Sequence, residues 1–384
     1  MAAAASTTPS STLPLQKWAS VAWEKAVWAL ITEKPVLMLF PIRKVLWTKR
    51  PGWIYPCVTS RIPVSFTASF CRFSCGKPDI KIAENNLHTN IILADFRPEP
   101  EKGNPMSIKI IVDSTTDLTN STRNRVTVVP LTVCFGADEY IDGVNLTHKE
   151  FYEKLIESDT LPTTSQAAPA AFIKVLDEVL KPDDSAVIIT LSSKLSGTYQ
   201  SAVIAASDYE NVYVVDSSSA AIGASILTEF ALQCLDEGMS AAEIADALEK
   251  KKEDICLIAM LDTLEYLKKG GRISPTVAFA GGLLNIKPVV NIENGVINIL
   301  GKARGSKQGN NLLVQEIQKA GGIDFSLPIL LGYTGLTDVL LKKYIEDSKA
   351  LWENGTENLR YTSIGSVIGT HTGPGVIAAA FFRK

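Results

Sequence analysis

Side chains that can bind an anion are concentrated in five short segments of the sequence. Each segment lies at a predicted strand end or helix start and is rich in Ser, Thr, Asp or Gly. Hydroxyl groups and backbone amides there can hold a carboxylate or a phosphate, particularly where a helix begins. The same residue types also cap helices, so one segment alone is weak evidence, whereas five favour a ligand site. The segments are 113–115, 163–166, 192–198, 216–219 and 369–375.

Two residues of these segments could instead carry out catalysis. Ser196 could act as a nucleophile with His371 as its base, which would make the protein a lipase or a thioesterase. However, Ser196 lies in Leu-Ser-Gly-Thr rather than in a G-x-S-x-G turn, and this pattern predicts a loop that leads into a helix. His371 lies among glycines in a predicted Thr-His-Thr loop, where backbone can approach a ligand closely. We therefore favour ligand binding and expect no catalytic residue.

A metal or cofactor site is poorly supported. The chain has three histidines, and its six cysteines are scattered without a C-x-x-C pair, so we expect reduced, mostly buried thiols. The turns at Asp113 and Asp216 could bind Mg²⁺, but no phosphate-binding glycine loop accompanies them. His148 is predicted to lie on the surface of a helix capped by Thr147 and Glu150. We expect neither a metal ion nor a cofactor.

The elements that must position these segments alternate between strands and helices after Met106. This order predicts an α/β domain with a mostly parallel sheet and helices on both faces. The predicted strands are 108–112, 126–133, 186–191 and 212–215, and the predicted helices are 149–157, 169–180, 196–207, 223–237 and 241–251.

The pattern changes near Leu261. Asn294-Gly295 separates two apolar runs, which is a strong hairpin signal, so a second α/β domain with mixed or antiparallel strands is predicted. Its predicted strands are 287–292, 296–302, 329–334 and 361–366, and its predicted helices are 263–268, 278–284 and 336–347.

The net charge of −3 is too near neutral to indicate nucleic acid or an anionic membrane as the main partner. The charge is unevenly distributed along the chain. Residues 1–106 contain 13 basic and 7 acidic residues, so their net charge is near +6, whereas the net charge of the remainder is near −9. Such a difference indicates that the two parts have different origins or roles.

Five motifs together resemble the DegV family of fatty-acid-binding proteins. They are VDSTTDL at 112–118, TSQ at 164–166, SGTYQS at 196–201, GGRIS at 270–274 and IGTHTGPG at 368–375. Each is weak alone, but in this order and spacing they are specific, and the resemblance covers about 107–384. Thr116 and Thr119 stand where Ala and Pro are commoner in the family, and these two departures do not weaken the resemblance.

The resemblance implies two α/β domains of the EDD fold, at 106–265 and 266–384, with a fatty acid buried between them. It implies that Thr164, Ser196 and His371 hold the carboxylate. It puts Arg272 near the pocket mouth, in the carboxylate network or in docking a fatty acid kinase, and the basic turn 301–305 could face that same partner. It further implies a cytoplasmic lipid carrier whose bound acid is phosphorylated for phospholipid synthesis.

A carboxylate held in this way needs donors, because a bare buried charge is very costly, and two hydroxyls and an imidazole can supply them. The acyl tail needs an apolar tunnel. A tail of about sixteen carbons would contribute roughly 12 kcal/mol gross, at about 0.8 kcal/mol per buried CH₂. Each candidate for the tunnel wall could equally belong to the core; the candidates are Ala278, Phe279, Leu283, Leu284, Ile286 and Val289.

Residues 1–105 have no counterpart in that resemblance. Three interpretations remain open for this extension: a targeting presequence, a membrane-surface helix using Trp18, Val21, Trp28 and Ile31, or a segment outside the working protein. The third is favoured because Met106 directly precedes a buried strand. We expect an extension without a defined fold, a helix at about 20–34 excepted, and no stable membrane insertion, since no apolar run reaches about 20 residues.

Overall fold

The computed structural model describes residues 38–40, 43–50, 53–57, 107–273, 285–353, 355–357 and 359–384. The strands are β1 Met38–Phe40, β2 Arg43–Arg50, β3 Trp53–Cys57, β4 Ile108–Asp113, β5 Thr127–Val129, β6 Thr132–Phe135, β7 Asp138–Ile141, β8 Thr163–Ser165, β9 Ser185–Thr190, β10 Val212–Asp216, β11 Ile255–Met260, β12 Ile286–Glu293, β13 Val296–Arg304, β14 Leu330–Tyr333, β15 Tyr361–Ser363 and β16 Ile377–Phe382. The helices are α1 Asn120–Arg123, α2 His148–Glu157, α3 Pro169–Val179, α4 Thr198–Ala206, α5 Ala221–Asp236, α6 Ala241–Lys251, α7 Glu265–Lys269, α8 Gly305–Lys319, α9 Val339–Asp347 and α10 Ser366–Thr372, with 3₁₀ turns at Lys252–Asp254 and Lys349–Leu351.

The N-terminal extension and the remainder of the chain form separate compact units, Met1–Pro98 and Glu99–Lys384. In the first unit, β1, β2 and β3 form a three-stranded antiparallel sheet. The rest of residues 1–106, including the predicted helix at about 20–34, lies outside the described residues.

The first sheet of the second unit has the order β10-β9-β4-β5 and is parallel throughout, which confirms the predicted parallel sheet. Successive strand residues face opposite sides, and both sides are covered. Ile111 packs in a core with side chains of α2, α3 and α4. Ile110 packs in a core with side chains of α5 and α6. The capping box predicted at Thr147 and Glu150 is confirmed at the start of α2.

The predicted strand 126–133 is two strands, which is a correction. β5 ends before Pro130, a residue that has no N–H to donate to a sheet ladder. After this break the chain continues as β6, which pairs antiparallel with β7 and β8 in a small three-stranded sheet. The pairing of β8 puts Thr164 opposite Val133. Neither β7 nor β8 was predicted from the sequence.

The second large sheet has six strands in the order β13-β12-β11-β16-β14-β15. Its pairs are antiparallel except for β14 with β15, so the predicted mixed sheet is confirmed. Asn294 and Gly295 both have positive φ, 51° and 79°, as a tight hairpin between β12 and β13 requires. Strand β11 belongs to this sheet although it precedes the predicted domain boundary at 265/266, and the boundary itself stays a prediction.

Helix α5 packs between the two large sheets. Leu227 and Ala231 join the core beneath β4 and β9. Ile222 and Ile226 pack against Leu257 and other side chains of the six-stranded sheet. We call the part built on the parallel sheet the first lobe and the part built on the six-stranded sheet the second lobe. The two lobes share the buried helix α5. The cavity described next lies beside the N-terminal end of this helix. Among the helices that the structure describes, none combines the length and the apolarity needed to cross a bilayer.

Candidate functional site

A cavity of about 410 Å³ lies between the two lobes. Such a volume falls within the range of about 300–1,000 Å³ typical of small-molecule pockets. Its polar lining residues are Thr164, Ser165, Gln166, Ser196, Arg272, Asn291, His371 and Thr372. Its apolar lining residues include Leu131, Leu191, Ala221, Leu257, Ala259, Leu261, Val290, Ile292, Val367, Val376 and Ala378.

Thr164 and His371 meet at the polar end of this cavity. Oγ1 of Thr164, on β8, lies 2.9 Å from Nε2 of His371, within hydrogen-bonding distance. His371 is the penultimate residue of α10, so its prediction as a loop residue is wrong. Gly365 and Gly373 flank this short helix, and the glycines hid it in the sequence. The two residues are far apart in the chain, and both line the cavity.

The imidazole of His371 is neutral near pH 7. Burial, with a smaller contribution from the positive charge of Arg272, lowers its pKa from 6.5 to about 4. Its Nδ1 is buried and has no hydrogen-bond partner among the described residues. Gly270 packs so closely on Nδ1 that a Cβ at this position would collide with the ring. The first glycine of the GGRIS motif, Gly270, is therefore required for His371 to lie at the cavity wall.

Ser196 lies in the loop before α4, as predicted, and lines the same cavity. Its Oγ lies 2.9 Å from Oγ1 of Thr198 and accepts a hydrogen bond from the Thr198 N–H at 3.3 Å. The next residue, Gly197, packs directly on the side chain of Gln166, where a Cβ would collide. The hydroxyl of Ser196 is thus oriented by the start of α4, while His371 is bonded to Thr164.

Arg272 also lines the cavity and joins segments of both lobes. Its Nε donates to the carbonyl oxygen of Leu195 at 3.1 Å, and its Nη1 donates to that of Gly270 at 2.7 Å. The guanidinium is therefore held beside the loop that carries Ser196. The structure brings all four predicted residues, Thr164, Ser196, Arg272 and His371, to the lining of one cavity. Their roles in binding a carboxylate or a partner stay predictions.

The residues predicted to line the tail tunnel have different positions. Ala278, Phe279, Leu283 and Leu284, with the helix predicted at 278–284, lie outside the described residues. Ile286 begins β12 and is not among the described residues that line the cavity. Val289 packs on the opposite side of the sheet with side chains of α8.

The described apolar wall comes instead from β11 and β16, which were not predicted, and from residues of β12 other than the predicted Ile286 and Val289. Leu257 and Ala259 of β11, Val290 and Ile292 of β12 and Ala378 of β16 line the cavity. Alternation of residues 257, 259 and 261, along β11 and directly after it, was the available signal, but it does not show which face of a sheet meets a ligand.

The other polar segments hold the fold together. Asp113 is fully buried and accepts hydrogen bonds from the Leu191 N–H at 2.7 Å and the Thr115 hydroxyl at 2.6 Å. Asp216 accepts from the backbone amides of Ser193 and Ser218. Within the described residues, no group of three or more His, Cys, Asp or Glu side chains could hold a metal ion.

Two further predictions are corrected. His148 is half-buried rather than a surface residue, because its Nδ1 lies 2.7 Å from Oγ of Ser363 and links α2 to β15. The predicted basic turn 301–305 is not a turn, since residues 301–304 continue β13 and Gly305 begins α8. The hairpin partner β12 extends the ladder to Arg304, which pairs with Ile286.

Comparison with known proteins identifies the family. The family model described as "Uncharacterised protein, DegV family" matches residues 107–384. The chain belongs to the DegV family. A DegV domain-containing protein of Caldanaerobacter subterraneus subsp. tengcongensis is 35% identical over 283 residues, which cover 72% of this chain and 99% of the relative.

Solved DegV structures share the two-domain α/β fold. A fatty-acid-binding DegV family protein from Thermus thermophilus is 33% identical, with a TM-score of 0.65 over 72% of this chain and 100% of the other. A stearic-acid-binding protein from Eubacterium ventriosum is 26% identical, with a TM-score of 0.65 over 72% of this chain and 98% of the other. The first 106 residues lie outside the family match.

Proposed function

We propose that this DegV protein binds a long-chain fatty acid in the cavity between its lobes and holds the carboxylate at Thr164, Ser196 and His371. The observation that carries the proposal is the 2.9 Å contact between Thr164 and His371 at the polar end of an otherwise largely apolar cavity. The fatty-acid-binding relatives from Thermus thermophilus and Eubacterium ventriosum support the same ligand class.

The chemistry of the polar end suits a carboxylate. A buried carboxylate requires hydrogen-bond donors or a positive charge, and hydroxyls and an imidazole N–H can donate. A bound anion would also favour protonation of His371, because an opposite charge stabilises the charged form of a titratable group. Arg272 adds a fixed positive charge in the same wall while its guanidinium stays bonded to backbone carbonyls.

The remainder of the cavity suits an alkyl chain. The alanine side chains at 259 and 378, which are paired across β11 and β16, leave space over this face of the sheet, and Leu261, Val290 and Val376 supply apolar contacts. Each buried CH₂ contributes about 0.8 kcal/mol, so a long chain can bind tightly after ordering costs are subtracted.

The test is direct. The protein, purified without added lipid, is extracted with organic solvent, and the extract is analysed by mass spectrometry. About one fatty acid per chain is expected, and a Thr164→Val variant should carry less. If the extract contains no fatty acid and the protein does not bind added fatty acid, the proposal is refuted.

We further propose that the protein is a cytoplasmic carrier that presents the carboxylate to a separate fatty acid kinase for phospholipid synthesis. The support is the motif resemblance, together with the position of the head-group residues at a cavity end between two lobes. Loaded protein incubated with a bacterial fatty acid kinase and ATP should yield acyl phosphate. Absence of product, with a known carrier active in parallel, would contradict this step.

A hydrolase remains the alternative. It would require Ser196 to donate its proton to His371, whereas the described hydrogen bonds join Ser196 to Thr198 and His371 to Thr164. Turnover of a p-nitrophenyl acyl ester that is lost on Ser196→Ala would favour the hydrolase over a carrier.

A further inference from the structure

The cavity that we assign to the acyl chain abuts a second cavity of about 290 Å³. Three residues, Leu257, Asn291 and Ile292, line both cavities. The second cavity differs in character, because charged and polar side chains line most of it. They include Lys252, Glu253, Asn294, Glu316, Lys319 and Arg383.

The shared residues lie at the end of the first cavity that is remote from His371. Pairing of Met260 with Ile377 puts Leu261 near Val376, which follows the His371 segment in the chain. Leu257 is four residues from Leu261 along the same strand face. At about 3.3 Å per residue, this separation corresponds to roughly 13 Å along β11. A tail that starts at Thr164 and His371 and follows β11 therefore ends near Leu257.

Side-chain size changes along this path. The middle of the wall is formed by Ala259, which pairs with Ala378 on one side and Val290 on the other. At the far end, Leu257 pairs with Ile292, so two large aliphatic side chains meet there. Leu257 is buried and is among the residues that line both cavities.

We infer that Leu257 and Ile292 form the floor of the acyl cavity and set the longest fatty acid that the protein accepts. This inference rests on the proposed function. An acyl chain that is too long for the cavity would place its terminal methylenes among charged groups. It would then lose the free energy gained by burying apolar surface. Truncation of Leu257 opens the acyl cavity into the polar one, and a larger side chain at this position shortens the accepted tail.

The experiment compares wild type, Leu257→Ala, Leu257→Phe and Leu330→Ala. Leu330 is fully buried in the same core cluster and lines neither cavity, so it is the matched control for lost core volume. Each delipidated protein is titrated with saturated fatty acids of increasing length. Thermal unfolding of each variant checks that it is folded.

The length of the tightest-binding acid should increase in Leu257→Ala, decrease in Leu257→Phe and stay unchanged in Leu330→Ala. Each methylene that Leu257→Phe excludes should weaken binding about four-fold, from about 0.8 kcal/mol per CH₂. An unchanged length preference in both Leu257 variants, with fatty acid still bound, would overturn the floor but leave the proposed function standing. Absence of fatty acid binding in wild type would overturn both.

Discussion

Oγ1 of Thr164 lies 2.9 Å from Nε2 of His371, although the two residues are 207 positions apart in the chain. One comes from the three-residue edge strand β8 and the other from the short helix α10. This contact defines the polar end of the cavity, and most of the testable consequences follow from it.

Thr164→Val should weaken fatty acid binding without a large effect on folding. Valine keeps the shape of threonine but lacks the hydroxyl, and a hydrogen bond to a charged group contributes about 1.5–3 kcal/mol. The dissociation constant should therefore rise about 10- to 100-fold. Isothermal titration of delipidated protein measures the change. Thr163→Val alters the exposed neighbouring threonine and should leave affinity at the wild-type value; equal affinity of both variants would contradict the assignment.

The stability of the ligand-free protein should depend on pH through His371. The folded-state pKa is about 4 because of burial and Arg272, against 6.5 for an ordinary histidine. Between these values the unfolded chain binds more protons, so stability is fully present above pH of about 6.5 and falls as the pH drops towards about 4. Urea unfolding across this range should show the decline. In His371→Gln the decline should be smaller, and an identical pH profile in both proteins would refute the assignment.

Arg272→Gln should raise the pKa of His371, because the positive charge of the guanidinium is one of the two causes that lower it. It should also free the Leu195 carbonyl, to which Arg272 donates at 3.1 Å, and weaken fatty acid binding. NMR titration of the imidazole measures the first effect and ligand titration the second. Lys268→Gln removes a nearby exposed charge and serves as the control. A histidine pKa that moves equally in both variants would exclude a specific effect of Arg272.

Asp117 anchors the helix that carries His371. Its Oδ1 accepts a hydrogen bond from the Gly365 N–H at 2.7 Å, directly before α10, and burial raises its pKa well above the ordinary value. A raised folded-state pKa means that ionisation costs stability as the pH rises through it. Asp117→Asn should therefore be at least as stable as wild type at neutral pH, because the amide oxygen keeps the bond without the charge.

Asp117→Ala should instead lose about 1–3 kcal/mol, since the Gly365 amide is left without its partner. Chemical denaturation at neutral pH compares the two variants. Equal destabilisation by both substitutions would show that the charge, and not the acceptor alone, is needed at this position.

Local patterns allowed much of the secondary structure to be predicted. The capping box at Thr147 and Glu150, the Asn294-Gly295 hairpin and the apolar runs of β4 and β9 depend on residues close in sequence. Strands β11 and β16 were not predicted, because periodicity alone does not distinguish a short apolar run from a buried helix segment, and β16 contains three alanines. Pro130 was the local signal for the division of 126–133, but the sheet that β6 joins after it depends on tertiary pairing.

The sequence by itself determined the α/β order, the glycine-rich and hydroxyl-rich motifs and the small set of polar residues that could hold an anion. Only the tertiary structure decided that Thr164 and His371 touch, that Arg272 bonds to the Ser196 loop, and that β11, β12 and β16 line the cavity. The physical reason is that motifs and turns are encoded by neighbouring residues. Contacts between lobes, by contrast, depend on strand register and on how α5 packs between two sheets.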